Sequence, residues 1–362
     1  MSNTTRRIFL SPPFVGAAER AAARRAFDSG YVAPCGPQVD EFERRLAKLS
    51  GRKYAVAVSS GTAAIDLLMA ELSVDETWTV VAPTLTFIAT VGPAFHRGAK
   101  LVFVDSDATG NIDVSLLEEA LKSLRVNHKI LVIGVDLYGN CCDYGAIAKL
   151  CRKFGAVFVA DAAEAVGAKR DGRPAGSAGL AGVYSFNGNK IVTTSGGGAI
   201  VTDDRGLAER ARKRAQQSRE KCIWYEHREV GYNYRLSNIL ASIGLAQLDR
   251  LPAILKKRKA NYYWYARNFE GDLLSPTPGA NHWLTVAVLS SRRERDKLLR
   301  RFEAAGIEAR PVWKPLHLQP VFAKCRVFGG EVAKALFERG VCLPSGTGLK
   351  SGDFARIAAC LG

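Results

Sequence analysis

The strongest constraint on this chain is an alternation that begins at Tyr54: a short apolar run, a turn, then a segment with helical spacing, repeated in order. The apolar runs are YAVAV from Tyr54, a strand near 78–82 before the turn at Pro83, KLVFV near 100–104, KILVIGV from Lys129, and AVFVA leading to Asp161. Runs this uniformly apolar are buried on both faces, and helices between them serve as parallel crossovers. The expected fold is α/β: three layers with a mostly parallel central sheet between helices. Ligands of such sheets bind beyond the carboxyl ends of the strands.

At 362 residues and 47% hydrophobic, the chain has enough material for more than one domain. The expected division is a large domain over 1–249, including the N-terminal arm, and a linker helix with a smaller C-terminal α+β domain over 250–362. Helices are expected over 17–29, from about Val39 to Leu49, through Leu72 after Ser59-Ser60-Gly61-Thr62, from the Pro83 turn to about Phe95, and from Val114 to Leu124. Asp203 to Lys221 reads as one long charged helix, Asn238 to Leu248 as another, and a further charged helix from about 250 to 269 leads to the small domain. That domain has the strand HWLTVAVLS, the helix RRERDKLLRRFEAAG and the tail KALFERGVCLP. LPSGTG at 343–348 repeats the letters SGT without a full strand before it and reads as a turn.

No apolar run approaches the roughly 20 residues of a membrane span, and the start, MSNTTRRIFLSPP, lacks the apolar stretch of a secretory signal. Eight cysteines without Cys-x-x-Cys spacing read as free thiols of a reducing cytoplasm, and His96, His128, His227, His282 and His317 are too scattered to suggest a metal. The formal charge of +16 attracts polyanions and suits nucleotide-linked substrates or an anionic surface equally. Its clusters, such as KKRK at 256–259, look like polar helix faces without interleaved aromatics, so nucleic acid is not an expected partner.

Local motifs supply the chemistry. In Gly182 to Val201, GVYSFNGNKIVTTSGGGAIV, a polar bend carries Lys190 between two apolar runs, which reads as strand, connection, strand. A lysine on such a bend is either solvated or mounted for use. Gly61 and Thr62 open a helix whose free amides suit a phosphate, and the same letters serve as a plain N-cap. Asp161 arrives at a strand tip, as an N-cap, a metal ligand or the partner of a basic ring nitrogen. Phe87 after the Pro83 turn is a stacking face or a core aromatic.

Together, SSGTAAIDLLMAEL, APTLTFIAT, DAAEAVG, SFNGNKIVTTSGGG and GYNYRLSN resemble the DegT/DnrJ/EryC1/StrS sugar aminotransferases, fold-type I enzymes that use pyridoxal 5'-phosphate and aminate nucleotide-linked keto sugars. The resemblance covers nearly the whole chain. It implies that Lys190 attaches the cofactor and carries the proton, and that Asp161 binds the pyridine nitrogen. Gly61, Thr62 and Ser185 would bind phosphate, Phe87 would stack on the ring, and Glu164, where relatives commonly have glutamine, would sit near the cofactor hydroxyl. Asn233 would reach the phosphate in a neighbouring subunit, which implies a homodimer with shared sites. Asn238 receives no role. Tyr31, Asn187, Lys314 and His317 are pocket candidates, the last two reading equally as a surface charge and a loop histidine.

The lysine segment looks most like the bacillosamine branch, which aminates C4 of a UDP-linked 4-keto-6-deoxy-N-acetylhexosamine with glutamate as donor and pyridoxamine 5'-phosphate as intermediate. GDP- or dTDP-linked sugars, attack at C3, or a noncatalytic cofactor-binding regulator are the alternatives. A lysine that moves protons at neutral pH needs its basicity lowered by the cationic cofactor or by burial.

Overall fold

A computed structural model describes residues 6–124 and 129–361; His128 lies outside them. The central sheet has eight strands in the order Tyr54–Val58, Gly198–Thr202, Ala181–Ser185, Val157–Asp161, Lys129–Val135, Trp78–Pro83, Lys100–Val104 and Arg326–Phe328. Gly198–Thr202 runs antiparallel to both its neighbours, and the other pairings are parallel. Every residue of Trp78–Pro83 is buried, as a strand covered on both faces requires. Two apolar cores, one on each face, complete the three layers.

A second sheet of four antiparallel strands is ordered Asp272–Leu273, Thr285–Val288, Gly340–Leu343 and Arg310–Pro311. Its core includes Phe302 and Ile357 from two helices and also Ile8 from the N-terminal arm, which bridges to Ile307. Chain from both ends therefore crosses between layers. Residues 6–11 lie with the small sheet, while Arg326–Phe328 returns to extend the large one through pairing with Lys100–Val104.

Four expected helices differ in extent. The helix expected from Pro83 to Phe95 is a 3-10 turn, Ile88–Thr90, followed by the short helix Gly92–His96. The residues between are spent on tertiary bonds: Thr84 N–H donates to the Val104 carbonyl, and the Thr86 and Thr90 hydroxyls bond each other at 2.8 Å. The charged helix expected to reach Lys221 is Arg205–Ala215, because Gln217 and Ser218 turn the chain in left-handed conformations, φ 63° and 53°. The two helices expected around residue 249 are one, Asn238–Asn268, with Pro252 inside it. Pro252 is exposed and removes one backbone bond. Packing against the helices Ala17–Asp28 and Pro37–Ser50 keeps the helix continuous, and at Gly244 a Cβ would run into the Phe42 ring.

Candidate active site

Asp161 ends the strand Val157–Asp161 and is 4% exposed. One carboxylate oxygen accepts from the Thr90 hydroxyl at 2.8 Å and the other from the Ala163 amide at 3.2 Å. Burial raises its proton affinity, and the two donors and the charge of Lys190 work against that rise. A carboxylate so placed is stabilised in its ionised form by a cation brought to it.

Lys190 sits on the bend between the antiparallel strands Ala181–Ser185 and Gly198–Thr202. The bend is closed by the Lys190 amide donating to the Asn187 carbonyl at 3.0 Å. The lysine Nζ lies 3.4 Å from Glu164 Oε1 and 4.0 Å from the centroid of the Trp283 ring. Glu164 also accepts from the Tyr138 amide at 2.7 Å, with Tyr138 held at φ 53°. Burial pushes the Glu164 carboxyl up to about 7, against the pull of Lys190 and that amide.

The sign of this shift makes a prediction. The folded chain holds the Glu164 proton more tightly than the unfolded one, so stability is greatest below the ordinary glutamate range and falls as pH rises toward 7. Glu164→Gln keeps an acceptor for Tyr138 and does not titrate. Relative to it, the cofactor-free wild type is expected to lose about 1–3 kcal/mol between pH 5 and pH 8 in urea denaturation. Parallel stability curves for the two proteins would show that Glu164 does not titrate in this range.

Ser60 caps the helix Gly61–Glu71, its hydroxyl accepting from the Ala63 amide at 3.0 Å. The first amides of a helix have no partner within it, so those of Gly61 and Thr62 open toward the cavity. Gly198 is glycine for a steric reason: its Cβ would run into the Ser60 carbonyl, so the strand after the lysine bend passes directly against this turn. Ser185 completes the group, its Cβ 3.1 Å from where a Cβ on Gly61 would stand.

These parts border one cavity of about 680 Å³, which Gly61, Thr62, Phe87, Asp161, Glu164, Ser185, Asn187 and Lys190 all line. Phe87 is 57% exposed and leans on Trp313 at 5.7 Å between centroids. Trp283 and Trp313, which no sequence pattern singled out, also line the cavity, and both pack against the Tyr138 ring. Thr90 was also missed, its contact with Asp161 being visible only once the strand ends are side by side. The rim carries Arg310, paired with Glu308 at 2.9 Å.

An acid at the strand tip, an amine beside it and a helix N-terminus at the far end fit pyridoxal phosphate. Residues 13–362 match the family described as DegT/DnrJ/EryC1/StrS aminotransferases.

The chain belongs to this family.

Among relatives, the chain is 40% identical over 98% of its length and 95% of the other's to EpsN of Bacillus subtilis (strain 168), described as a pyridoxal phosphate-dependent aminotransferase. It is 34% identical to the GDP-perosamine synthase of Caulobacter vibrioides, with 98% and 97% of the two chains covered. It is 35% identical over 65% of its length, and 62% of the other's, to the UDP-4-amino-4,6-dideoxy-N-acetyl-beta-L-altrosamine transaminase of Campylobacter jejuni. Among solved structures, Spr1654 of Streptococcus pneumoniae, described as a sugar aminotransferase and known in PLP and PMP forms, superimposes with a TM-score of 0.89. Its PMP form is 28% identical to this chain, with 98% and 97% of the two covered. The family's cofactor is therefore pyridoxal phosphate, with pyridoxamine phosphate as its aminated form.

Four expected site residues of this aminotransferase do not border the cavity. Tyr31 is half exposed on the loop after the helix Ala17–Asp28, its carbonyl held by Asn238. Asn238, given no role from sequence, is structural: it also accepts from the Gln38 and Val39 amides and so caps the helix Pro37–Ser50. Lys314 is exposed and is the residue after Trp313, which does line the cavity. His317 bonds the Thr84 hydroxyl at 2.7 Å, and burial lowers its basicity. Asn233 is exposed between Tyr232 and Tyr234, whose stacked rings, 4.6 Å apart, turn back to Arg97 and Asp66. It borders a separate hollow with Pro34, Cys35 and Trp224.

Proposed function

We propose that this aminotransferase moves the amino group of glutamate to C4 of a UDP-linked 4-keto-6-deoxy-N-acetylhexosamine, releasing 2-oxoglutarate and the UDP-4-amino sugar. The observation that carries the reading is the convergence of the Lys190 amine, the buried Asp161 carboxylate and the amides of Gly61 and Thr62 on one cavity. Bound pyridoxal phosphate supplies the electron sink through which an amine and a ketone exchange nitrogen. Asp161 would hold the proton on its pyridine nitrogen, a charge pairing that would offset the carboxylate's burial. Gly61, Thr62 and Ser185 would hold its phosphate at the helix N-terminus, Phe87 would stack on its ring, and Glu164 would sit near its hydroxyl. The Lys190 amine removes the proton from the α carbon of glutamate and, in the second half-reaction, delivers one to C4 of the sugar. Asn187, on the lysine bend, borders the space left for substrate.

The active unit is a homodimer with shared sites. Asn233 faces outward, away from the Lys190 cavity, and Ile223, Trp224 and Tyr225 beside it are 95%, 59% and 77% exposed, as residues awaiting a second copy are. From there Asn233 serves the partner's cofactor phosphate, and Tyr31, Lys314 and His317 belong to the sugar path that the two subunits build together. The free thiols fit a reducing cytoplasm.

The UDP reading is supported by the Campylobacter transaminase and by the lysine segment, and the Caulobacter synthase favours a GDP sugar as second reading. Purified protein with pyridoxal phosphate and glutamate is offered UDP-2-acetamido-2,6-dideoxy-α-D-xylo-hexos-4-ulose and a GDP-linked 4-keto-6-deoxyhexose in parallel, with products identified by mass and NMR. The UDP substrate is expected to be preferred at least about tenfold in kcat/KM, giving a 4-amino product. Amination of the GDP sugar alone, or at C3, would replace the substrate while leaving the cofactor chemistry in place.

A further inference from the structure

The bend that carries Lys190 is exposed at Asn187 and Asn189, yet its position is gripped from outside the central sheet. The carbonyl of Asn189, the residue before the lysine, accepts from Ser11 Oγ at 2.8 Å and from Trp283 Nε1 at 2.7 Å. Ser11 belongs to the N-terminal arm, and Trp283 leads into the small-sheet strand Thr285–Val288. A single side chain holds both donors. Arg258, in the long helix, donates from one terminal nitrogen to Ser11 Oγ at 3.0 Å. The other donates to the carbonyls of Trp283 at 2.9 Å and Ser345 at 2.7 Å. A guanidinium only donates, so the Ser11 oxygen accepts from Arg258 and its own hydrogen goes to Asn189.

We propose that Arg258 is a positioning residue for Lys190: through Ser11 and Trp283 it fixes the carbonyl beside the lysine and the indole face against which the lysine amine rests. This goes beyond the assignment of Lys190 as the cofactor lysine and rests on it.

Two observations separate Arg258 from an ordinary packing residue. It is 2% exposed, its partners are all neutral oxygens, and its Nε has no partner among the described residues. Burial draws the guanidinium down to about 9. A charge removed from water without a counter-ion is an unfavourable way to fill space, and an apolar side chain of similar volume serves packing better. The second is the backbone before Trp283. His282 is held at φ 54°, uncommon for a non-glycine residue, and its ring stacks at 4.6 Å on Tyr262, one turn along the helix from Arg258. The long helix thus grips two consecutive residues that aim the indole at Lys190.

The test uses full-length Arg258→Lys, Trp283→Phe and the double variant, each loaded with pyridoxal phosphate. A lysine keeps the charge without the planar fork that reaches three oxygens, and phenylalanine keeps a ring without the Nε1 donor. Two quantities are read: the pH midpoint of the bound cofactor's visible absorbance, and the single-turnover rate with glutamate. Both single variants are expected to shift the midpoint in the same direction by at least about half a unit. Both are expected to slow the single turnover about 10- to 100-fold, with the apparent Kd for glutamate changed less than about threefold. The double variant is expected to lie within about twofold of the slower single, because the two act along one path. An Arg258→Lys protein with a lowered Tm but wild-type midpoint and rate would reduce the residue to a clamp and overturn the proposal, as would fully multiplicative losses in the double. Should Arg258→Lys not fold, Trp283→Phe and Ser11→Ala carry the same readouts, and wild-type values in both overturn it. A wild type that forms no visible cofactor band would instead remove the Lys190 assignment, a separate failure.

Discussion

Replacing Lys190 by alanine is expected to lower turnover by about ten-thousandfold or more, measured as 2-oxoglutarate released from glutamate in the presence of the keto sugar. In the proposed mechanism the amine has two duties that no neighbour can take over: covalent attachment of the cofactor and proton transfer in both half-reactions. Among the cavity-lining residues, the other cation is Arg310, at the rim and paired with Glu308. The fold should be little affected, because the bend is closed by the backbone of Asn187 and Lys190 and held by Ser11 and Trp283 through the Asn189 carbonyl. Activity within tenfold of wild type would exclude Lys190 from the chemistry. The same variant tests the shared site. Asn233→Ala alone is expected to lose about tenfold or more through the missing phosphate bond. Co-expressed in equal amounts, the two variants should recover about a quarter of wild-type activity, since half the dimers are mixed and each holds one intact site. No recovery would mean that Asn233 does not act across subunits.

Asp161→Asn is expected to lower kcat by about 10²- to 10³-fold while leaving the cofactor-free protein no less stable than wild type at pH 8. The two effects have different origins. An amide keeps an oxygen for the Thr90 hydroxyl or the Ala163 amide, so the strand tip retains a partner. It cannot hold the proton on a pyridine nitrogen as a carboxylate does, and the ring withdraws electrons less well. Burial raises the proton affinity of Asp161 in the folded state, so the ionised form at pH 8 costs stability that the neutral amide avoids. Turnover and thermal denaturation of the same preparations decide it. A variant that loses stability and activity together would mark Asp161 as structural, and one that keeps its activity would remove it from the cofactor.

The central sheet and its chemistry-bearing tips were legible because each depends on neighbours in sequence. AVFVA drives one strand into the core and leaves Asp161 at its end, and two apolar runs around an Asn- and Gly-rich bend place Lys190. The turn before Gly61 is a Ser cap followed by an apolar helix. Where the reading failed, a distant contact overrode a local signal. Pro252 is a reasonable place to end a helix, and packing against two other helices carried the chain through it. A long run of Arg, Lys, Glu and Gln after Asp203 suits a helix, but left-handed turns at Gln217 and Ser218 stop it and bring Tyr232 and Tyr234 back beside Asp66.

By itself, then, the sequence determined the strand and helix alternation, the residue at each strand tip, and the aminotransferase family, since these follow from periodicity, turn chemistry and short motifs. Only the tertiary structure decided what surrounds those tips. Trp283 and Trp313 line the cavity because the chain beside the small-sheet strands Thr285–Val288 and Arg310–Pro311 brings them there, and Ser11 and Arg258 reach the lysine bend from residues far away in sequence. Asn233 faces outward because its tyrosine neighbours are tied inward. Such contacts carry no local signature. They arise when burial of apolar surface brings remote segments together, and each side chain's role is then set by what the fold has placed within hydrogen-bonding distance.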